Sequence, residues 1–221
     1  DEKTLAKLVF CFESDPERND GIISGAQDSI GICMSGLVRH YYDRRFWPDM
    51  FESCHDEDIL QWLESHLCMV PMHPRQAGCS VVEGCAFGSD AGATTEPVTK
   101  EERKQMVAQL TSAAERCWRS IMKKDLSGFA QAYKDSFNAQ VTMFPAMVEP
   151  VIMDGDSTAE PSPTIKECIR TYSAMPDVLA WKMPGAGGGG YLALVVRDAN
   201  TFTEAHPEAI SLKIRRKNTT A

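Results

Sequence analysis

The chain has 221 residues, 43% of them hydrophobic and 24% charged, with 23 Lys and Arg against 31 Asp and Glu for a formal charge of -8. That length and apolar content suffice to bury one large core or two small ones. The acidic balance has the wrong sign for gripping a nucleic-acid backbone, and no apolar run approaches the roughly 20 residues of a membrane helix, so both partners are excluded at this stage.

Eight cysteines (Cys11, Cys33, Cys54, Cys68, Cys79, Cys85, Cys117 and Cys168) are scattered without a CxxC pair. With no signal-peptide pattern, they read as reduced thiols of a cytoplasmic protein. His55 beside Cys54, and His66 before Cys68, lack a second ligand pair at a supporting distance, so no metal site is expected. The chain opens Asp1-Glu2-Lys3 and its first methionine is Met34, which points to processing or to a piece of a longer protein.

In chain order, Leu5, Leu8, Val9 and Phe12 recur at helical spacing and predict an amphipathic helix ending near Ser14. Residues 22–36 are small, apolar and punctuated by Gly25, Gly31 and Gly36, and read as a glycine-rich turn leading into a strand over 37–42. Asp56 caps a helix from Glu57 to about His66, followed by a short strand to Met72. The composition of 84–97 predicts a mobile loop. Thr99 with Glu102 forms a capping-box signature ahead of a long helix to Lys124, with Met106, Leu110, Ala113, Cys117, Trp118 and Ile121 in period. A second helix over 126–143 packs back on it. An acidic loop over 154–163 precedes a third helix opened by Pro163 or Thr164 and stopping near Met175-Pro176. Strands follow over 178–183 and 191–196, the latter apolar on both faces, and Ile210, Leu212 and Ile214 alternate with polar residues as a half-exposed strand. Helices bunched between strands predict an α+β two-layer sandwich with a mainly antiparallel sheet and helices on one face.

The strands over 178–183 and 191–196 flank Pro184 and the run Gly185-Ala186-Gly187-Gly188-Gly189-Gly190. The run satisfies GxGxxG, but a strand follows it, whereas a dinucleotide site needs a helix there. Tyr191-Leu192 replaces the Lys-Ser or Lys-Thr of a Walker A loop, and the His-Arg-Asp and Asp-Phe-Gly signatures of protein kinases are missing. What remains is a glycine loop whose backbone amides can approach a ligand closely.

The segment from Lys182 to Tyr191, preceded by a helix and followed by an apolar strand, resembles the C-terminal motif of the GHMP kinases, the family of galactokinase, homoserine, mevalonate and phosphomevalonate kinases. The resemblance is closest to its sugar-kinase branch, which includes heptose kinases and fucokinases. Upstream, Ser24-Gly25-Ala26-Gln27-Asp28-Ser29 resembles that branch's Gly-x-Gln-Asp-Gln segment, with Ser29 in place of its last glutamine. The resemblance implies ATP-dependent phosphorylation of a small molecule, most simply a sugar, with Mg2+. It makes Asp28 the catalytic acidic residue beside the acceptor hydroxyl, and Gly25, Gln27 and Gly185, Ala186, Gly187, Gly188, Gly189 and Gly190 a substrate and phosphate pocket. Lys182 and Arg75 enter as further phosphate or sugar contacts, and plain solvated cations are their alternative.

The family's ATP loop, Pro-x-x-x-Gly-Leu-Gly-Ser-Ser, has no counterpart here. The resemblance therefore implies the C-terminal, substrate-side portion of a larger kinase, inactive alone, whose partner is a missing N-terminal ATP-binding half. Residues 1–30 are expected to end that N-terminal domain and 31–221 to form the C-terminal one. The alternative is a non-catalytic module binding a metabolite or a protein on the same scaffold.

Overall fold

A computed structural model describes residues 1–17, 25–74, 99–149 and 163–217, and the backbone alone of 79–80 and 151–152. In chain order the elements are α1 (Glu2–Glu13), α2 (Ala26–Cys33), β1 (Leu37–Tyr41), β2 (Met50–Cys54), α3 (Glu57–Glu64), β3 (Leu67–Pro71), β4 (Cys79–Ser80), α4 (Lys100–Met122), α5 (Leu126–Met143), a 3-10 turn (Pro145–Met147), β5 (Val151–Ile152), α6 (Ile165–Ser173), β6 (Val178–Lys182), β7 (Tyr191–Val196), α7 (Ala199–Ala205) and β8 (Ile210–Ser211). The class is α+β, with antiparallel sheets and helices packed against them, as the sequence predicts. Among the described residues no helix is long and apolar enough to cross a membrane. The chain divides into two compact units, Asp1–Gln61 with Lys213–Ala221, and Trp62–Leu212.

In the first unit, the Asp1 side chain accepts a hydrogen bond from the Thr4 amide at 2.8 Å and starts α1, which ends at Ser14 as expected. Its buried face is not the expected one. Leu5, Leu8 and Phe12 are 53%, 63% and 59% exposed, whereas Ala6 is fully buried against α2 with Ala26, Ile30 and Cys33. A small residue lets two helices approach closely, so the seam runs along Ala6, Val9 and Phe10 instead of along the largest side chains. α2 also corrects the reading of 22–36 as a turn. Gly25 is its N-cap and Gly31 is tolerated within it, at a propensity cost near 1 kcal/mol that the burial of Ile30 and Cys33 offsets. β1 and β2 then form an antiparallel pair from Leu37↔Cys54 to Tyr41↔Met50. The final segment belongs to this unit: the Gly36 amide donates to the Arg215 carbonyl at 2.8 Å, and Arg216 forks onto Glu57 at 2.9 and 2.8 Å, holding that carboxyl at about 2.

The second unit is built on a four-stranded sheet in the order β6-β7-β3-β8, all pairs antiparallel. The apolar run of β7 is its centre, with Leu192, Leu194, Val195 and Val196 at 0% exposure and Ala193 at 5%. Cys68 and Val70 of β3 sit opposite Leu194 and Leu192 and share a core with Met183, Phe137, Met147, Ile165 and Phe202. α4 and α5 form a helical hairpin tied by Arg116 to Asp135 at 2.7 Å; the expected capping box of Thr99 with Glu102 is present, and Thr164 with Glu167 forms a second one at the start of α6. The terminal strand is shorter than its alternating pattern suggests, because only Ile210 and Ser211 pair with β3 before the chain leaves for the first unit. The loop expected over 84–97, and most of that over 154–163, lie outside the described residues.

Leu194→Ala is expected to cost about 2–5 kcal/mol, through lost burial and the cavity left behind. Leu8→Ala should change stability by less than about 0.5 kcal/mol. Urea unfolding of both variants checks the pair, and a large loss at Leu8 would contradict the face assigned to α1.

Candidate functional site

The glycine run joins two neighbouring antiparallel strands, since β6 ends at Lys182 and β7 begins at Tyr191. Backbone φ is +65° at Gly185, +78° at Gly187, +77° at Gly188, +134° at Gly189 and +92° at Gly190, a region that a Cβ atom disfavours. Ala186 does not fall in it, which explains why the single side chain of the run stands at that position.

Two segments far away in sequence fix the shape of this loop. The Gly188 amide donates to the Met147 carbonyl at 2.9 Å. The Gly190 amide donates to the His73 carbonyl at 2.8 Å, and the Met72 amide donates back to the Gly190 carbonyl at 2.8 Å. Gly187 lies so close to the 3-10 turn that a Cβ would stand 2.9 Å from Met147 Cβ and 3.0 Å from its carbonyl oxygen. At Gly185 and Gly190 a Cβ would meet open space, so glycine is required there for its backbone conformation alone. The amides of Gly188 and Gly190 are thus occupied by the fold. Those of Gly185, Ala186, Gly187 and Gly189 make no hydrogen bond to another described residue.

Asp28, Gln27 and Gly25 stand at the start of α2 in the first unit, all three exposed to solvent. Asp28 lies in the first turn of α2 with its side chain exposed to solvent. Ser29 is fully buried and donates to the Ala26 carbonyl at 3.0 Å. A longer glutamine would not fit that position without repacking, so the serine is a packing residue of α2.

Lys182, at the end of β6, is drawn into the second unit. Its Nζ donates to Ser136 Oγ at 2.8 Å and lies 5.9 Å from the centre of the Tyr133 ring, and burial pushes its pKa down. Burial also drives the neighbouring Cys117 thiol up to about 11. Arg75 lies outside the described residues, as does Ser24.

Sequence reasoning missed two residues that bond to the loop, His73 and Met147, and did not mark Gln140 on the last turn of α5. His73 Nε2 and Gln140 Oε1 are buried without a hydrogen-bond partner. Such an atom costs about 1–3 kcal/mol. His73 could have been suspected from its place between a strand and Pro74, whereas nothing in the sequence singles out Gln140. Among the described residues no three His, Cys, Asp or Glu side chains converge on a metal position.

No protein-family profile matches the chain, and no curated protein matches it in sequence. In fold it is similar to a D-glycero-D-manno-heptose 1-phosphate kinase from Bacteroides thetaiotaomicron, with a TM-score of 0.54 and 12% identity over 96% of this chain and 52% of that one. It is also similar to a protein described as a sugar kinase from Campylobacter jejuni, with a TM-score of 0.55 and 16% identity over 98% of this chain and 55% of that one. At such identities the likeness is one of fold, and the chain spans about half the length of each structure.

Two substitutions test this geometry. Gly187→Ala should destabilise by at least about 2 kcal/mol, against about 1 kcal/mol for Gly185→Ala, because only the first adds a backbone collision to the strained φ. Equal losses on urea unfolding would contradict the packing against Met147. Lys182→Met should keep the fold and raise the melting temperature at pH 7, since it removes a charge from a desolvated place. A base whose folded pKa is lowered destabilises while it is protonated, and this penalty fades as pH rises through the lowered pKa toward 10.5. The difference between variant and wild type should therefore narrow with rising pH, and a constant or widening gap would contradict the burial assigned to Lys182.

Proposed function

We propose that this chain is the substrate-side portion of an ATP-dependent sugar kinase of the GHMP type. The observation that carries the reading is the braced glycine loop. The glycine run that carries the resemblance lies after α6 and β6 and ahead of the apolar strand β7, within a fold similar to two structures described as sugar kinases.

On this reading Asp28 accepts the proton of the acceptor hydroxyl as its oxygen attacks the terminal phosphorus of ATP, and ADP departs with the bonding pair. Phosphoryl transfer demands little covalent work from the protein, so positioning and charge stabilisation are its main contributions. Within the second unit the amides of Ala186 and Gly189 can donate to an oxygen of a ligand, and within the first Gly25 and Gln27 flank Asp28. ATP brings the transferable phosphoryl group, and Mg2+ supplies charge neutralisation on its phosphates. Among the described residues there is no acidic cluster for that ion, so the reading assigns the binding of both to an N-terminal half. The complete enzyme would work in the cytoplasm.

Ser29, where the resembling segment has glutamine, would also fit a non-catalytic binding module; its burial and its bond to the Ala26 carbonyl give helix packing as another cause of that departure.

In the complete enzyme, Asp28→Asn is expected to lower kcat by about 10^2- to 10^4-fold while leaving the unfolding transition unchanged, as suits an exposed side chain. Steady-state turnover of ATP with a panel of sugars checks it. Near-normal kcat in the variant would overturn the role given to Asp28.

A further inference from the structure

A cavity of about 520 Å³, open to solvent, lies in the first unit on residues that the kinase reading leaves unused. Its lining brings together Lys3 and Lys7 of α1, Arg45 of the connection between β1 and β2, and an apolar wall of Trp47, Pro48 and Phe51. A cavity of this size holds a small metabolite.

The fold itself gains little from these cations. Lys3 and Lys7 stand four residues apart on one face of α1, where like charges repel. Among the described residues neither pairs with a carboxylate; the Lys3 ammonium sits 4.6 Å from the centre of the Phe51 ring instead. Arg45 approaches Asp49 at 3.4 Å and is largely exposed. Both carboxylates of the lining are already engaged, since Asp1 accepts from the Thr4 amide and Asp49 from the Asp43 amide, each at 2.8 Å. The floor is fixed by packing. The Trp47 ring lies 5.4 Å from that of Phe10 and 5.8 Å from that of Phe51, and all three pack on the core of Ala6, Ala26, Ile30 and Cys33. The Asp49 amide donates to the Tyr41 carbonyl at 2.9 Å and closes the connection that carries Arg45.

We infer that this cavity is a binding site for a phosphate monoester that carries a ring, its phosphate meeting Lys3, Lys7 and Arg45 while its ring lies against Trp47. Three cations facing one space suit a dianion, and a guanidinium among them matches the oxygens of a phosphate. Charge alone would accept any anion. The aromatic wall adds a reward for a ring with a flat or apolar face, which inorganic phosphate lacks. Nucleoside monophosphates and sugar phosphates share that chemistry. The site goes beyond the kinase reading, because neither Asp28 nor any residue of the glycine loop lines it.

The test is a titration of the isotopically labelled 221-residue chain, followed by NMR at the Trp47 indole N–H and by calorimetry. AMP, glucose 6-phosphate, adenosine and inorganic phosphate are the probes. At least one ester is expected to shift the Trp47 signal and to bind more tightly than either adenosine or inorganic phosphate. The tighter ester then tells a nucleotide site from a sugar phosphate site, and equal binding means that the phosphate and a ring suffice. Lys7→Ala and Arg45→Ala should each weaken that ester about 3- to 10-fold, whereas Lys7→Arg keeps the charge and the binding. Both side chains are exposed, so the amide fingerprint of each variant stays native. The inference is overturned if neither ester moves Trp47, if adenosine or inorganic phosphate binds as tightly as the esters, or if both alanine variants bind like wild type. A response confined to the glycine-loop amides overturns it too, because it puts the ester elsewhere. None of these results bears on Asp28, whose turnover measurement tests the kinase reading separately.

Discussion

The ladder between β3 and β7 does not end with its strands. Past the last pair, Pro71 with Tyr191, the Met72 amide still reaches the Gly190 carbonyl, and the Gly190 amide reaches His73. Through those two bonds the loop is tied to the most buried strand among the described residues. Met183 before the loop and Leu192 after it are both at 0% exposure, so its two ends are anchored in the core. Between those anchors the backbone takes five left-handed steps, which isolated peptides would not hold and which the Met147 contact here over-determines. A loop stiffened in this way can present amide donors at fixed positions, the property that recognition of a sugar or a phosphate needs.

That architecture decides which parts of the molecule were legible in the sequence. β7 was, because a fully apolar run between turn residues has few alternatives to a central strand. α4 was, because its capping box marks the first turn and its period marks the rest, and α6 was from its opening residues and its stop at Met175-Pro176. α2 was missed since three glycines outweighed the burial of Ile30 and Cys33, a tertiary effect that propensity does not contain. The exposed face of α1 was misjudged for a related reason: periodicity identifies the largest apolar residues, whereas close packing chose Ala6. β2 and α7 had no pattern strong enough to be picked out.

The candidate site divides in the same manner. The glycine loop announces itself in sequence, since so many glycines are costly unless their conformation is used. Its bracing does not, because Met147 and His73 come from separate segments that only the folded chain brings to one loop. Lys182 illustrates the opposite case: a lysine beside a glycine run invites a ligand role, yet here its amine is engaged by Ser136. Asp28 keeps the exposed position that a role toward a hydroxyl requires.

The central claim is that this chain supplies the substrate side of a kinase whose ATP loop lies upstream. The most direct measurement is the sequence of the coding DNA immediately before the codon for Asp1. The account predicts an open frame that encodes a Pro-x-x-x-Gly-Leu-Gly-Ser-Ser loop. An initiator methionine or a cleavable leader directly before Asp1 would leave the protein without a phosphate cradle of its own and contradict the account.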